Sequence, residues 1–431
     1  MNRKQAVFSV IIVLCSLMVA CQDSRETAKT SSTPLSQGNS TGSGAVANTD
    51  AAKWAPAVEP KPLSQDTLRG LAWLVAHQLP SGAWGQGEES QHMGGGEGMK
   101  DKPSVADTCV AALALIRSGS TPSEGDYAKS ILAAVNFVCS EVEQADNDTL
   151  YITETRGTRV QSKLGPYIDT FLASMLLAEA KDRMPDEASS QRVSACLHHI
   201  VAKIETNQRE NGTWNNEGWA PTLSQSMAVK GLNRAAQAGI PVDQAVRTKA
   251  GEHARSNFDA ETGSFDGSGS AGVDLYASAS SYSAQADSGN TDAVRKRELE
   301  AKLLEPVSSD DRDRINAELE EIEQSGQTLG LAAEAITSRL NDERFIAGFG
   351  SNGGEEFLSY MSIGEGLVVN GGDEWLKWDA SITSNLNRIQ NSDGSWTGHH
   401  CITGRTFCTS AALLVLMTDR APVPLAAIGS R

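Results

Sequence analysis

A seven-residue pattern recurs along the chain and limits what it can fold into. "QLPSGAW" runs from Gln78 to Trp84, "QRENGTW" from Gln208 to Trp214 and "QNSDGSW" from Gln390 to Trp396. In each, Gln and Trp stand six apart, with Gly two before the Trp. "QADNDTL" (Gln144 to Leu150) and "DAETGSF" (Asp259 to Phe265) keep the same frame in degenerate form. Gly beside Asp, Asn or Ser marks a tight turn ahead of the Trp. A fixed turn at repeated intervals is the mark of a repeat architecture rather than of one irregular core.

Helical patterns flank each copy. Before it come one-sided amphipathic stretches such as "DTLRGLAWLVAH", "YAKSILAAVNFVCSEV", "QRVSACLHHIVAKIETN" and "EWLKWDASITSNLNRI". After it come small, uniformly apolar stretches: "DTCVAALALI", "DTFLASMLLAEA", "SQSMAVKGLNRAA", "DLYASASSYSAQA", "SYMSIGEGLVV" and "CTSAALLVLM". One apolar face suits an outer layer, and all-round apolarity suits an inner layer packed on both sides. Six outer–inner hairpins over residues 64–420 predict an all-α (α/α)6 toroid, because ring closure covers faces that no hairpin buries alone. The sixth signature, around "FIAGFGSNGGEEF", is lost, and that unit is placed only by its helices.

One segment breaks the pattern. Residues 291–326 are charged, helix-favouring and interrupted by Pro306, which predicts an inserted helical hairpin with Ser309 or Asp310 capping its second arm. Such charge is ordinarily a solvated face, and a projecting hairpin also offers a contact for a protein partner.

The ends carry address rather than fold. Residues 1–21 combine basic Arg3 and Lys4 with an apolar run too short to span a bilayer, as in a secretion signal. "LMVAC" resembles a bacterial lipobox, with Met18 where Leu is usual, and implies cleavage before Cys21 and lipidation (palmitate) of its thiol. Gln22 after that Cys implies outer-membrane anchorage on the periplasmic face, or elsewhere in the cell envelope. Residues 22–63, rich in Ser, Thr, Gly and Ala, read as a flexible linker. Net charge is −17 with no basic cluster in the mature chain, which excludes nucleic acid as a partner and adhesion to anionic lipid headgroups. Five cysteines follow Cys21 (Cys109, Cys139, Cys196, Cys401 and Cys408), with a Cys401–Cys408 bridge and buried free thiols both open.

Gln and Trp six apart, ending in "DGSW" or "NGTW" before an Ala/Leu-rich helix, resemble the QW repeat of the squalene-cyclase and protein-prenyltransferase superfamily. The resemblance covers nearly all of residues 64–420 and implies that the motif is structural, the Trp packing between hairpins and the Gln tying to a neighbouring helix end. It also implies a cavity ringed by inner-helix N-termini. Aligned units put Asp107, Asp169, Ser224, Asp274, Ser359 and Cys408 at one position of that ring, followed by Thr108, Thr170, Gln225, Tyr360 and Thr409. Carboxylates there satisfy caps and the helix dipole; Asp107, Asp169 and Asp274 are also the candidate acid–base groups. Tyr276, Tyr360, Arg405, Cys408, His399 and His400 are the candidate ligand contacts.

The family's chemistry carries over poorly. The D-x-D-D motif of the cyclases is missing, and aromatics, which steady a developing cation, are only 5% of the chain. The prenyltransferase zinc pattern keeps Asp107 and Cys109, but the family's His position holds Ser410; His92, His399 and His400 are loop substitutes for the missing ligand. Zinc is therefore not expected, and no other cofactor is indicated. His198, His199 and His253 read as surface or packing residues, Met175 and Met227 as core, and Trp375 and Trp378 as packing between hairpins. The expected function is a lipid-anchored toroid that binds a lipid, glycan or protein through its cavity. The alternative is a divergent cyclase-, transferase- or carbohydrate-active enzyme using the Asp ring.

Overall fold

The computed structural model describes residues 53–90, 97–214, 217–340, 342 and 353–428. The expected leader, Cys21, most of the expected linker, His92 and much of "FIAGFGSNGGEEF" lie outside the described residues. The described chain is all-α, with thirteen α-helices and two short strand pairs. None of the described helices is long and apolar enough to cross a membrane.

The helices fall into the two expected kinds. α2 (Val105–Arg117), α5 (Ile168–Ala180), α7 (Pro221–Gln237), α9 (Asp274–Leu303), α11 (Gly354–Asn370) and α13 (Arg405–Leu416) follow the six inner patterns. α2 and α5 are buried along their whole length. α2 packs on α5, α5 on α7, α7 on α9, α9 on α11, α11 on α13, and α13 on α2. The amphipathic helices α1 (Gln65–Ala76), α3 (Ala128–Gln144), α6 (Glu187–Thr206), α8 (Gln244–Ser256) and α12 (Gly372–Ile389) each lie against two neighbouring inner helices. A short helix, α4 (Arg159–Leu164), borders α5 and α7.

The repeated turn explains this order. The indole N–H groups of Trp84, Trp214 and Trp396 donate to Leu74, Ile204 and Leu386, carbonyls in the last turns of α1, α6 and α12. Carbonyls in a helix's last turn lack a full set of intrahelical partners, and a buried indole satisfies them; Leu74 O also accepts from His77 N at 3.1 Å. The Gln amide braces its own turn through the Gly carbonyl and reaches the first turn of the next outer helix. Gln78 donates to Ser130 of α3, Gln208 to Val246 of α8, and Gln390 to Asp66 of α1. The turn glycines have φ near +80 to +95, and a Cβ on Gly82, Gly212 or Gly394 would meet a carbonyl of that same neighbouring helix within 3 Å. Three residues within one seven-residue turn thus join one unit to the next. The position after the ring joins in: Thr108 and Thr409 hydroxyls and the Gln225 amide oxygen accept from the Trp backbone N–H groups, and Thr170 donates to Leu150.

The charged segment 291–326 forms a helical hairpin whose two arms continue α9 and α10 (Ser309–Arg339). α9 is largely buried to Thr291 and then runs out to Leu303 with only Leu299 buried, while α10 returns and buries Leu329, Ala332, Ala335 and Ile336. Two details differ from the sequence reading. The second arm is capped by Ser308, whose Oγ accepts from Asp311 N at 3.1 Å, and not by Ser309 or Asp310. The end of the expected linker is part of the fold: β1 (Trp54–Pro56) pairs antiparallel with β4 (Pro422–Pro424), and Lys61 N donates to Asp419. The other pair, β2 (Phe258–Asp259) and β3 (Ser264–Phe265), forms the degenerate fourth turn. Trp375 and Trp378 are buried, as are Met175 and Met227.

Candidate functional site

The inner helices present two chemically opposite ends. At the N-terminal end, Ser104 caps α2 and donates to Asp107 Oδ2 at 2.6 Å, while Asp107 Oδ1 is buried with no hydrogen-bond partner. Burial, aided by the neighbouring Asp169 charge and opposed by Ser104, pushes the Asp107 carboxyl up to about 7. Asp169 accepts from Ala106 N of α2 (2.9 Å) and from Gln161 Nε2 of α4 (2.7 Å), so it fastens two helix starts to a third. Its pKa is also raised, by burial.

Across from α2, the first turn of α11 brings in Glu355. Its Oε2 accepts from Ile402 N at 3.1 Å, its Oε1 has no partner, and burial raises it to about 7. The loop before α13 folds over this turn: Gly354 N donates to Ile402 O, Cys408 Sγ lies 3.3 Å from that same carbonyl, and Cys401 takes φ +65. The Cys408 thiol is raised by burial and by the Glu355 and Asp107 charges, so both carboxyls lie within electrostatic reach of it. Asp107, Glu355 and Cys408 are 0% exposed.

The other expected site residues separate into buried and rim groups. Tyr276 and Tyr360 are buried, and the Tyr360 hydroxyl donates to Glu356 of its own helix. His399 and His400 are exposed, with His400 Nδ1 3.1 Å from Cys401 Sγ. Arg405 pairs with Asp393 of the repeat turn at 2.6 Å and with Glu88 at 3.8 Å. Asp274 differs from Asp107 and Asp169: its side chain is 54% exposed and accepts from Arg339 Nε of α10 at 3.1 Å. Ser224 and Ser359 are buried. Asp107 and Cys109 share one helix turn, but among the described residues no group of three or more His, Cys, Asp and Glu is placed to hold a metal ion. All five cysteines after Cys21 are buried free thiols; Cys401 and Cys408 are not bridged, and Cys196 Sγ of α6 sits 3.8 Å from the Cys139 carbonyl of α3.

The opposite end holds charges that the sequence reading passed over. Arg117 of α2 donates to Glu365 of α11 at 2.7 Å and to Glu179 of α5 at 3.4 Å. Lys230 of α7 donates to the same Glu365 at 2.8 Å and to Asp287 of α9 at 2.9 Å. Five inner helices therefore meet in one buried ionic network. Burial works to raise Glu365, but Lys230 and Arg117 outweigh it and hold the carboxyl far below its usual range. Arg234, beside the network, donates to Pro422 O of β4 and lies 5.8 Å from the Trp54 ring, so the strand pair covers this end. The signal was present: one charge stands inside each of "LLAEA", "MAVKGL" and "SIGEGL".

No family model matches the chain, and no curated protein matches it.

Proposed function

We propose that the chain is an exported, lipid-anchored (α/α)6 toroid of squalene-cyclase-like construction that works by binding a protein partner, and that the α9–α10 hairpin is its binding element. The cyclic packing order of the inner helices and the link from Gln390 to α1 support the closed ring. Cys21 is the anchor, at the periplasmic face of the outer membrane; a C21S chain recovered in the soluble fraction is the expected sign. The observation that carries the binding reading is where concave surface lies. The inner helices are buried and tied at one end by ions, whereas the hairpin borders open clefts of about 350 and 690 Å³, one on each side. Leu304, where α9 ends, is 89% exposed, an apolar side chain offered to solvent beside half-buried Leu303.

A second reading, an enzyme using the N-terminal ring, is favoured by one observation: Asp107 and Glu355 both titrate near neutrality and keep an unpartnered oxygen. It requires an open state that admits substrate to them.

One experiment separates the two. A photo-crosslinking residue is placed at Leu304 or Gly330 in cells, with Gln191 on α6 as the control, and the purified chain is examined by native mass spectrometry. The binding reading expects one protein adduct from both hairpin positions and none from the control. Equal adducts at all three positions, or none at the hairpin together with a co-purified small molecule, overturns it.

A further inference from the structure

The cleft of about 350 Å³ on the α8 side of the hairpin is lined by charges of both signs. α8 contributes Arg247 and Arg255, eight residues apart on one face, together with Glu252; α9 contributes Asp292 and Arg295, and α10 contributes Glu318 and Glu321. Glu318 is already held by Arg295 of α9 through two bonds of 2.7 and 3.0 Å, which fixes the corner where α9 and α10 meet. Among the described residues Arg247 and Arg255 make no ion pair, and neither does Glu321. Arg247 donates only to the amide oxygens of Asn233 (3.4 Å) and Gln244, and burial lowers its pKa. Arg247 hydrogen-bonds only to neutral acceptors, so its fork keeps capacity for a carboxylate, although Asp292 on the same cleft already favours its charge. Gly251 lies between the two arginines, and a Cβ there would be in van der Waals contact, 3.4 Å, with both Arg255 Nη1 and Ser288 Oγ. Asn233, Thr248, Gln324 and Thr328 supply further polar groups around the wall.

We propose that this cleft is a binding site for a small zwitterion of the amino-acid or dipeptide class, its carboxylate on Arg247 and Arg255 and its ammonium on Glu321. A dianion meets the carboxylates, a cation meets the arginines, and an apolar ligand finds little beyond Ile322, so the mixed lining favours a ligand carrying both charges. The size suits a ligand of that class. The site is independent of what the hairpin tip or its other groove contacts.

The test is isothermal titration of the folded chain with three probes: alanylalanine, its N-acetyl form and its amide. Alanylalanine is expected to bind, with each single-charge probe about tenfold or more weaker. R247Q combined with R255Q is expected to abolish alanylalanine binding with an unchanged helical circular dichroism spectrum, and Gly251→Gln to block it sterically. Should the glycine variant fail to fold, Glu321→Gln serves in its place, weakening alanylalanine while leaving the N-acetyl probe as it was. Equal binding of all three probes, binding that survives the arginine substitutions, or no binding of alanylalanine at about 10 mM overturns the proposal. Full binding of the N-acetyl form would instead identify a site for a peptide C-terminus.

Discussion

The two ends of the inner helices are equally dry and electrostatically opposite. At the N-terminal end Asp107 and Glu355 are buried with neutral donors on one oxygen and nothing on the other, and both rise to about 7. At the far end Glu365 is as deeply buried yet falls well below its ordinary value, because Lys230 and Arg117 flank it. Burial alone therefore does not decide the state of a carboxyl in this protein. What decides it is whether a cation was buried with it.

Removing the shared carboxylate of the ionic network should produce the largest effect. Glu365→Gln leaves Lys230 and Arg117 without their common partner and should cost about 3–5 kcal/mol in chemical denaturation. A loss below about 1 kcal/mol would mean that water or rearranged partners replace it, and would erase the contrast between the ends.

The opposite end should respond in the opposite direction. A carboxyl with a raised folded pKa keeps its proton in the native state while the unfolded chain has released it. Its favourable contribution is complete below the unfolded value near 4 and is lost as pH rises toward about 7. Asp107→Asn and Glu355→Gln should therefore gain on the parent as pH goes from about 4.5 to 8, each by on the order of 2 kcal/mol. Denaturation midpoints measured at both values check this, and parallel profiles for variant and parent would show the carboxyls to be ionised in the fold.

The smallest effect is expected at the turn that holds the N-terminal ends together. Gln390→Ala removes the donations to Asp66 and Gly394, and should cost about 1–2 kcal/mol with no dependence on pH between 5 and 8. A thermal melt that shows a pH-dependent loss would mean the turn also sets the neighbouring carboxyls.

Much of this was legible in the residues. The Gln, Gly and Trp of the repeat are local in the chain, and so are the helical periods on either side, so the units and their inner and outer character could be read directly. The candidate ring was legible only in part. Asp107 and Asp169 lie in buried helix starts as their alignment implied, but Asp274 turns outward to Arg339, a residue 65 positions later. Glu355 escaped notice because its unit has lost the repeat signature. The hairpin's charge was visible, whereas its identity as the outward continuation of α9 and α10 depended on where burial thins, after Thr291 except for Leu299, and resumes from Leu329.

By itself the sequence determined the helical hairpins, the turns between them and which face of each helix is apolar, because those follow from contacts between near neighbours in the chain. Only the tertiary structure decided which buried carboxyls carry charge. Arg117, Glu179, Lys230, Asp287 and Glu365 come from five different helices. The free energy of a buried charge is set by partners within a few ångströms, and that proximity exists only once the helices have packed.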